Sequence, residues 1–576
     1  MKKQLFYKTK KHLLLFLTVF LGSITTFAQF GPPLATQWTG ATNTDWNTAT
    51  NWDSGSVPLA TEAVDITSYD GATVFPVIVS GTHIAIGHLT IGGAATLTIN
   101  DGGDLTVDPG ASLTIIGAGI LTINPGGSLI SKSTFSGDGS LIYKRHLFTA
   151  NWYLLSNPFS GHSINTFTVT DVATNAIATS GTNYGVAPYD NNGTAWDYYT
   201  TAAGTNDIAG AGNFIAGKGY SMKRTSAGDV EFKGTMPNTD VDIAITDGTA
   251  NELNLIGNPY PSYIPANTNA DAANNILTVN SAQLQENTLW FWDEESITYK
   301  IVNLGTASRF IAPAQGFFVN AQIGGGTFSF TEAMQSHQAY DEFNRTTNNR
   351  FEINLAMTDG TATKNTEIYY INGTTTSFDN GYDSSIFGGA NNDFMVYTQT
   401  VSDSQGRKLG IQSLPDADYE NMTIPVGVNA VAGTEITFSI AAQNIPSGMD
   451  IYLENRTDNT FTKLNDNGNY TIILDVDSNG VGQFYLRTSS SALGLETVAL
   501  EGVSMYSTNK ETLRIIGLQS GKATVKMFTL LGKQVIQTSF ESTGVKDVSL
   551  PKVSAGVYLV NLQTAQGTLT KKIIIQ

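Results

Sequence analysis

The sequence predicts an all-β protein built from several domains. Sustained helical periodicity is hard to find, whereas short alternating runs bounded by turn residues recur along the chain. Glycine is abundant, at 57 of 576 residues, and cysteine is absent. The lack of cysteine excludes a disulfide framework, a thiol nucleophile and a thiolate metal site. Packed cores must therefore hold the fold together, and the length suggests about three to five domains.

The first 28 residues have the three-part layout of a cleavable secretory signal peptide. Five lysines precede an apolar run from Leu13 to Leu21, and a small-residue stretch ends at Ala28. The run is too short for a transmembrane segment, and no later stretch reaches the roughly 18 apolar residues that a span requires. Removing those five lysines from the 31 basic residues leaves 26 against 49 acidic residues, a formal charge of −23. Such a surface repels nucleic acid.

Residues 29–147 predict a β-solenoid. Leu-Thr-Ile or a close variant recurs every eight residues, and the units begin at Leu89, Leu97, Leu105, Leu113, Leu121 and, more weakly, Leu129. Because strand side chains alternate, the leucine and the isoleucine of each unit share one face. Glycine and proline between the units supply the corners. An antiparallel meander is the alternative, but a repeat of like sides favours stacking.

The size of one solenoid rung stays open at the level of the sequence. Asn100 and Asn124 recur at 24 residues, which indicates three sides, whereas the Pro-Gly corners after Asp108 and Asn124 recur at 16 residues, which indicates two. Three tryptophans that precede the repeat are expected to cap its open end: Trp38, Trp46 and Trp52. A tryptophan-rich opening followed by such repeats resembles β-helical bacterial surface adhesins.

Residues 148–345 carry an internal duplication. The stretch 153–159 is echoed by 254–260, and each copy ends in Asn-Pro followed by an aromatic residue. Further matched pairs keep the same order: Trp196 with Trp292, Phe214 with Phe310, and Gly219 with Gly316. We therefore expect two tandem β-rich modules, residues 148–250 and 251–345, packed as a pseudo-symmetric pair.

Residues 346–493 predict a β-sandwich. The polar stretch 338–350 fits a linker, and alternating runs such as 351–355 and 435–440 supply the strands. Beyond Leu493 the charge changes sign. Residues 494–576 hold 9 basic and 5 acidic residues, whereas 29–493 hold 17 and 44. The change predicts a domain boundary near Leu493.

Four landmarks follow one another in residues 494–576: Val525 to Val535, Asp547 to Leu550, Ala555 to Val560, and Gly567 to Ile573. In this order they resemble the type A sorting domain of type IX secretion (Por) in the Bacteroidota. The residues that carry the sorting signal in this resemblance are Gly532, Gly556, Tyr558, Gly567, Thr570, Lys571 and Lys572. One departure is visible, because the family usually has an aromatic residue before Pro-Asn-Pro where this chain has Tyr506 to Asn509.

The resemblance implies several properties of the tail. It implies a small immunoglobulin-like sandwich that an outer-membrane translocon recognises. It also implies that a sortase-like peptidase removes the tail at the cell surface. The domain at 494–576 is thus expected to be a secretion and anchoring signal.

Asp475, Asp477 and Asn479 have the spacing of the first half of a calcium loop. The twelfth position is Leu486 rather than glutamate. In addition, Asn479 with the following glycine, set between two alternating runs, is a hairpin signal. The hairpin interpretation is favoured and calcium is the alternative; no other metal or cofactor is expected.

Aromatic residues of the duplicated modules suggest a surface for glycans. Trp290 and Trp292 lie on one side of a predicted strand, and Trp196 and Tyr198 occupy the matching place in the first module. A sugar stacks its C–H face on an aromatic ring while its hydroxyls bond to polar groups. Aromatic residues of β-modules are more often core, so the core interpretation is weighed beside the glycan one.

Enzymatic chemistry has little support in the sequence. It holds no His-Glu-x-x-His, no Gly-x-Ser-x-Gly and no phosphate-binding glycine loop ahead of a helix. We therefore expect a non-enzymatic adhesin or matrix component at the cell surface or in the extracellular space. The alternatives are a lyase or glycosidase whose carboxylates meet only in the folded chain, and a glycan-binding protein.

Overall fold

The computed structural model describes residues 35–68, 71–193, 195–338, 349–388, 392–420, 422–490, 503–530, 532–564 and 567–575. The predicted signal peptide and the predicted boundary near Leu493 lie outside the described residues. Strands make up 51% of the structure and helices 6%, which confirms the all-β prediction.

The N-terminal region is a three-sided β-solenoid. Its strands are β1 (Thr36–Gln37), β2 (Val64–Thr67), β3 (Val77–Ile78), β4 (His83–Ile86), β5 (Leu89–Gly92), β6 (Thr96–Ile99), β7 (Asp104–Val107), β8 (Ser112–Ile115), β9 (Ile120–Ile123), β10 (Ser128–Ser131), β11 (Thr134–Ser136) and β12 (Ser140–Leu147), with a 3₁₀ turn at Ala49–Asn51. They stack in three sheets, in the orders β1-β2-β5-β8-β11, β3-β6-β9-β12 and β4-β7-β10. The pairings between these strands are parallel, so the meander alternative is wrong.

Stacking of like residues sets the size of the rung. Leu97 pairs with Leu121 on the neighbouring rung, 24 residues further on, and both side chains are fully buried. At the corners, Nδ2 of Asn124 donates a hydrogen bond to Oδ1 of Asn100 at 2.7 Å. The 24-residue recurrence is therefore the rung, and the two-sided interpretation is wrong.

Buried contacts cover both ends of the solenoid. At its start, the ring of Trp52 makes edge-to-face contacts with Trp38 and Trp46, at centroid distances of 4.9 and 4.8 Å. All three tryptophans belong to the same core as the stacked leucines, as expected of a cap. At the other end β12 pairs in antiparallel fashion with β19 (Gly228–Lys233), which belongs to the next region. On this one of its three sides, the outer edge of the last rung is therefore paired rather than open.

The duplicated region contains two modules. The first module comprises β13 (Trp152–Ser156), β14 (Thr179–Ser180), β15 (Asn183–Tyr184), β16 (Val186–Asp190), β17 (Ala195–Trp196), β18 (Gly219–Lys223) and β19, with a π-helical turn (Thr166–Thr170), helix α1 (Val172–Asn175) and a 3₁₀ turn (Ile208–Gly210). The second module comprises β20 (Val241–Ile245), β21 (Leu253–Gly257), β22 (Ile264–Pro265), β23 (Leu284–Asp293), β24 (Thr298–Val302), β25 (Phe310–Ile311), β26 (Gly316–Ala321) and β27 (Gly326–Phe330), with helix α2 (Ile276–Asn280) and 3₁₀ turns at Ser281–Gln283 and Glu332–Met334. β20 precedes residue 251 but pairs with β27.

The main sheets of the two modules have the same topology, β13-β18-β16-β17 in the first and β21-β26-β23-β24 in the second. The duplication is therefore confirmed. The modules also contact each other reciprocally. Leu155 of β13 forms an antiparallel bridge with Gln315, and its counterpart Ile256 forms the same kind of bridge with Lys218. Equivalent positions make equivalent contacts, as in a two-fold interface.

The third region is one eleven-stranded sheet that folds over itself. Its strands are β28 (Glu352–Thr358), β29 (Thr363–Ile371), β30 (Ser384–Ser385), β31 (Met395–Thr398), β32 (Leu409–Pro415), β33 (Met422–Ala430), β34 (Glu435–Gln443), β35 (Asp450–Asn455), β36 (Thr460–Lys463), β37 (Asn469–Ile473) and β38 (Ser478–Ser489). Their order is β36-β35-β38-β33-β31-β32-β29-β28-β34-β37, and β30 pairs with β32. Phe438 of β34 and Phe484 of β38 are far apart in this order, yet their ring centroids are 5.0 Å apart. The two ends of the sheet therefore face each other across one core, as in a sandwich.

The C-terminal region is a small five-stranded domain. It comprises β39 (Ser504–Asn509), β40 (Thr512–Thr529), β41 (Gln534–Ser549), β42 (Gly556–Thr564) and β43 (Thr568–Ile575), in the order β39-β40-β42-β43 with β41 on the other edge of β40. The side chains of Val525, Met527 and Val560 are fully buried in the core of this domain. The long strand β40 pairs with three of the other four strands, β39, β41 and β42, and is therefore central to this domain.

We expect Leu97→Ala to destabilise the solenoid, because this side chain is fully buried in the stacked core. Truncation of such a leucine costs about 2–5 kcal/mol of unfolding free energy. Urea unfolding of the full chain, followed by circular dichroism, would measure the loss. Thr98→Ala is the matched control, because Thr98 lies on the opposite face of the same strand and should change stability by less than about 0.5 kcal/mol. Equal losses in the two variants would contradict the assignment of faces.

Candidate functional site

The C-terminal domain is the first candidate site, and two of its glycines lie at chain reversals. Gly532 lies between β40 and β41 with φ of +78°, a conformation that favours glycine, and its N–H donates to the carbonyl of Thr529 at 2.9 Å. Gly567 immediately precedes β43, and its carbonyl accepts from the N–H of Thr564 at 2.8 Å. Both glycines therefore help to define where the strands of this domain begin and end.

Gly556 and Tyr558 stabilise the start of β42. The strand begins at Gly556, and Tyr558, two residues later, is 7% exposed and belongs to the domain core. The Tyr558 hydroxyl donates to the carbonyl of Ser554 at 2.8 Å, which ties the preceding loop to the strand. These two residues thus contribute to the fold of the domain.

The last strand presents its polar residues outward. Thr570, Lys571 and Lys572 are exposed, whereas Ile573 is buried. Nζ of Lys571 lies 3.5 Å from Oγ of Ser504 on β39. The basic side chains of β43 are therefore accessible to a binding partner.

The first hairpin of this domain forms without the usual proline-containing turn. Oδ1 of Asn509 accepts a hydrogen bond from the N–H of Glu511 at 2.9 Å, and Asn509 pairs with Thr512 at the start of β40. The asparagine side chain therefore builds the turn itself.

Two of the four aromatic residues predicted to contact glycans lie at the junction of the modules with the sandwich. Trp290 is 2% exposed, and its Nε1 donates to the carbonyl of Ser385 at 3.0 Å. Trp292 is half-buried, and its Nε1 donates to the carbonyl of Trp152 at 2.9 Å. Since Trp290 offers no open ring face, its position favours the core interpretation.

The other two aromatic residues are half-buried in the first module. The ring of Trp196 lies 5.3 Å from that of Tyr189, and the ring of Tyr198 lies 5.6 Å from that of Trp152. Both rings therefore pack partly against protein. A glycan contact at Trp196 or Tyr198 stays a prediction.

The predicted hairpin at Asn479 is wrong. Asn479 and Gly480 lie inside β38, which pairs with β33, whereas β37 pairs with β34. The residues between β37 and β38, Asp475 among them, thus connect two separate parts of the sheet. Oδ1 of Asp477 accepts from the N–H of Ala432 at 2.8 Å. Within the described ranges no group of three acidic, histidine or cysteine side chains is placed to hold a metal ion, and calcium at this loop stays a prediction.

A buried charged cluster joins the second module to the sandwich. Glu286 of β23 is 3% exposed and pairs with Arg407. Asp383 is fully buried and accepts from the N–H groups of Ser413 and Asp379, at 2.6 and 2.7 Å. Burial, aided by the negative charges of Asp379 and Glu286, raises the pKa of Asp383 to about 7. The protonation state of this junction therefore changes near neutral pH.

A second cluster fixes the chain after β27 onto the solenoid. Nδ1 of His337 lies 2.8 Å from Oγ of Ser128, and its Nε2 lies 2.9 Å from Oγ1 of Thr106. Asp104, on the same sheet, lies 2.5 Å from Nδ1 of His83. Burial lowers the pKa of His337, so its ring is neutral at neutral pH. The solenoid and the second module are thus linked by polar contacts.

A cleft of about 820 Å³ lies between the second module and the sandwich. Residues of the β23–β24 hairpin form one wall, and residues of β28, β29 and β34 form the other. Sequence reasoning missed this cleft because its walls come from segments that are far apart along the chain. The alternation along β28 does indicate which of its side chains face away from the core.

No helix in the described part of the chain is long and apolar enough to cross a bilayer.

The C-terminal domain defines the class of the protein, which is a cargo of type IX secretion. Residues 508–576 match the family described as the secretion system C-terminal sorting domain, which confirms the resemblance of the tail. The protein is therefore exported across the outer membrane to the cell surface or the extracellular space. The type IX machinery recognises it through this domain.

Most of the cargo belongs to a second family. Residues 37–479 match the family described as Domain of unknown function (DUF8693). The match spans more than half of the chain, so the chain belongs to this family. A comparison with curated proteins found no match.

Similarities to solved structures are distant. A two-domain fibronectin type III segment of chicken tenascin is 10% identical, with 25% of this chain and 94% of that chain covered and a TM-score of 0.11. A polysaccharide lyase is 11% identical, with 39% and 40% covered and a TM-score of 0.11. Dimeric latent PorU from Porphyromonas gingivalis is 12% identical, with 43% and 31% covered and a TM-score of 0.12. At these TM-scores none of the three carries an argument about function.

Deleting residues 494–576 should leave the protein in the periplasm, because the sorting domain would be lost. Cell fractionation with immunoblotting of intact and lysed cells measures the location. As a control, fusion of residues 494–576 to an unrelated periplasmic protein should carry that protein to the surface. Undiminished surface exposure of the truncated chain would contradict the role of the domain.

The buried Asp383 should make stability depend on pH. Because its pKa is raised in the folded state, the folded protein holds this proton more tightly than the unfolded chain does. The stabilisation is therefore present at low pH and is lost as the pH rises towards about 7. We expect Asp383→Asn, which cannot ionise, to lose less unfolding free energy than the wild type between about pH 5 and about pH 8. Urea unfolding at both pH values measures the difference.

Asp416→Asn is the control for this experiment, since Asp416 is an exposed carboxyl of the same region. It should keep the pH dependence of the wild type. If Asp383→Asn also keeps it in full, burial of Asp383 is not its source.

Proposed function

We propose that this chain is a non-enzymatic adhesin or matrix component displayed at the cell surface. The observation that supports the proposal is the continuity of the cargo, in which each region is joined to the next by strand pairing or a buried contact. β12 of the solenoid pairs with β19 of the first module over six residue pairs. A scaffold joined in this way resists movement of one region against another, whereas domains on flexible linkers move freely.

The next junction is an apolar core shared by three regions. Leu154 of the first module, Phe318 of the second and Phe387 of the sandwich belong to one buried cluster. The rings of Phe318 and Phe387 lie 4.8 Å apart. Burial of aromatic surface is a strong source of stability, so this cluster would hold the two modules and the sandwich in a fixed arrangement.

Surface charge fits the same role. Residues 29–493 hold 17 basic and 44 acidic residues, which keeps the cargo soluble and repels anionic lipid. In this proposal the cargo is held at the surface through processing of its tail. A sortase-like peptidase removes the sorting domain and attaches the cargo to a surface glycolipid.

We expect the full chain to be retained by polysaccharides or cells without cleaving them. Incubation with a panel of polysaccharides, followed by pull-down and by an assay for new reducing ends, measures both properties. A strain that lacks the protein should attach less well to surfaces or to other cells. Release of new chain ends would contradict the non-enzymatic role and favour a polysaccharide-active enzyme.

A further inference from the structure

We propose that the cleft between the second module and the sandwich binds an uncharged oligosaccharide chain. This inference deepens the proposed adhesin function, on which it rests, by naming a ligand class and a site. The volume of about 820 Å³ lies within the range of about 300–1,000 Å³ typical of ligand sites, which often lie between domains.

The two walls of the cleft have different origins. One is the β23–β24 hairpin, in which Ile301 lies very close to Gly410 of the sandwich. A Cβ added to Gly410 would lie only 2.4 Å from Cδ1 of Ile301, so glycine is needed for this approach. The other is the outer face of the sheet β34-β28-β29, whose opposite face buries Ile353 and Leu355 in the sandwich core. The outer sheet face is therefore the floor of the cleft.

The alternation of β28 and its neighbours places amide side chains on this floor. Asn354 projects from β28, Asn365 from β29 and Gln443 from β34, and all three line the cleft. Within the described residues, the structure gives these three side chains no hydrogen bond to protein. Amides that both donate and accept are suited to the hydroxyl groups of a sugar.

Two of the cationic side chains that line the cleft are paired with carboxylates, which argues for an uncharged ligand. Nζ of Lys300 lies 2.9 Å from Oδ2 of Asp293. Nε of Arg350 lies 2.5 Å from Oε1 of Glu352, and the Arg350 guanidinium also covers the ring of Tyr369. A charged ligand would have to separate these pairs, whereas hydroxyl groups can bond to them in place.

An aromatic side chain lies beside the amides. Tyr299 lines the cleft, and one side of its ring packs on Phe387 at a centroid distance of 3.9 Å. The ring is thus held rigid by its neighbour, and a sugar that stacks on it loses little side-chain entropy. Amide donors, paired charges and a fixed aromatic ring together match the chemistry of a neutral sugar chain.

The test compares variants of the full chain on an immobilised panel of neutral glucans, mannans, xylans and galactans, with uronate polymers as a separate arm. We expect the wild type to bind a neutral member and Asn354→Ala/Asn365→Ala to bind it at least about tenfold more weakly, because two polar contacts are lost. Asn365→Trp, at an exposed position, should block the cleft by its bulk. Asn469→Ala, at an exposed asparagine on β37 outside the cleft, should bind like the wild type.

The outcomes separate the site from the function. Binding of uronate polymers alone, no binding of any member, or undiminished binding in both cleft variants would overturn the assignment of the site. Thermal unfolding of each variant shows whether a loss of binding reflects misfolding. Release of reducing ends would instead overturn the proposed adhesin function, whether or not the cleft variants lose binding.

Discussion

Each sheet of this protein must bury one face and protect its edges without a single disulfide bond, and this constraint shapes the whole chain. The solenoid meets it by stacking rungs, but its last rung would leave an open edge. Pairing of β12 with β19 covers that edge on one of the three sides of the solenoid and at the same time attaches the first module. The two modules then pair with each other through reciprocal backbone bridges at Leu155 and Ile256. Edge protection and domain assembly are therefore the same set of contacts.

Local periodicity explains why part of this fold could be predicted from the sequence. The eight-residue repeat fixes which side chains of each solenoid strand point inward, and the duplicated landmarks are visible by self-comparison. Rung size depends on which corner stacks on which, and the sequence offered both 16 and 24 residues. The hydrogen bond between Asn100 and Asn124 shows that the rung has 24 residues, but this contact is visible only in the folded structure. The hairpin prediction failed because strands pair over long distances along the chain. Asn479 pairs with β33 rather than with β37.

Candidate site residues show the same division. The sorting domain was predictable because its signal lies in ordered local landmarks. The aromatic residues of the modules carried a pattern that fits both a core and a ligand surface. For Trp290, the chain that covers it comes from the sandwich, about a hundred residues later, so no local pattern could show its burial. The cleft was missed for a related reason, because alternation reveals the outward face of β28 but not the hairpin opposite it.

The net negative charge of the cargo also affects which ligands the cleft can bind. A protein surface with 44 acidic and 17 basic residues over 29–493 repels polyanions, and at physiological salt this repulsion acts within about 8–10 Å of the surface. A cleft that carried an open positive charge would work against that field. Here Lys300 and Arg350, two of the cations that line the cleft, are engaged by neighbouring carboxylates, which reduces the attraction of the cleft for an acidic polymer. Both effects select against acidic polymers and leave hydrogen bonding and stacking as the basis on which a ligand would be chosen.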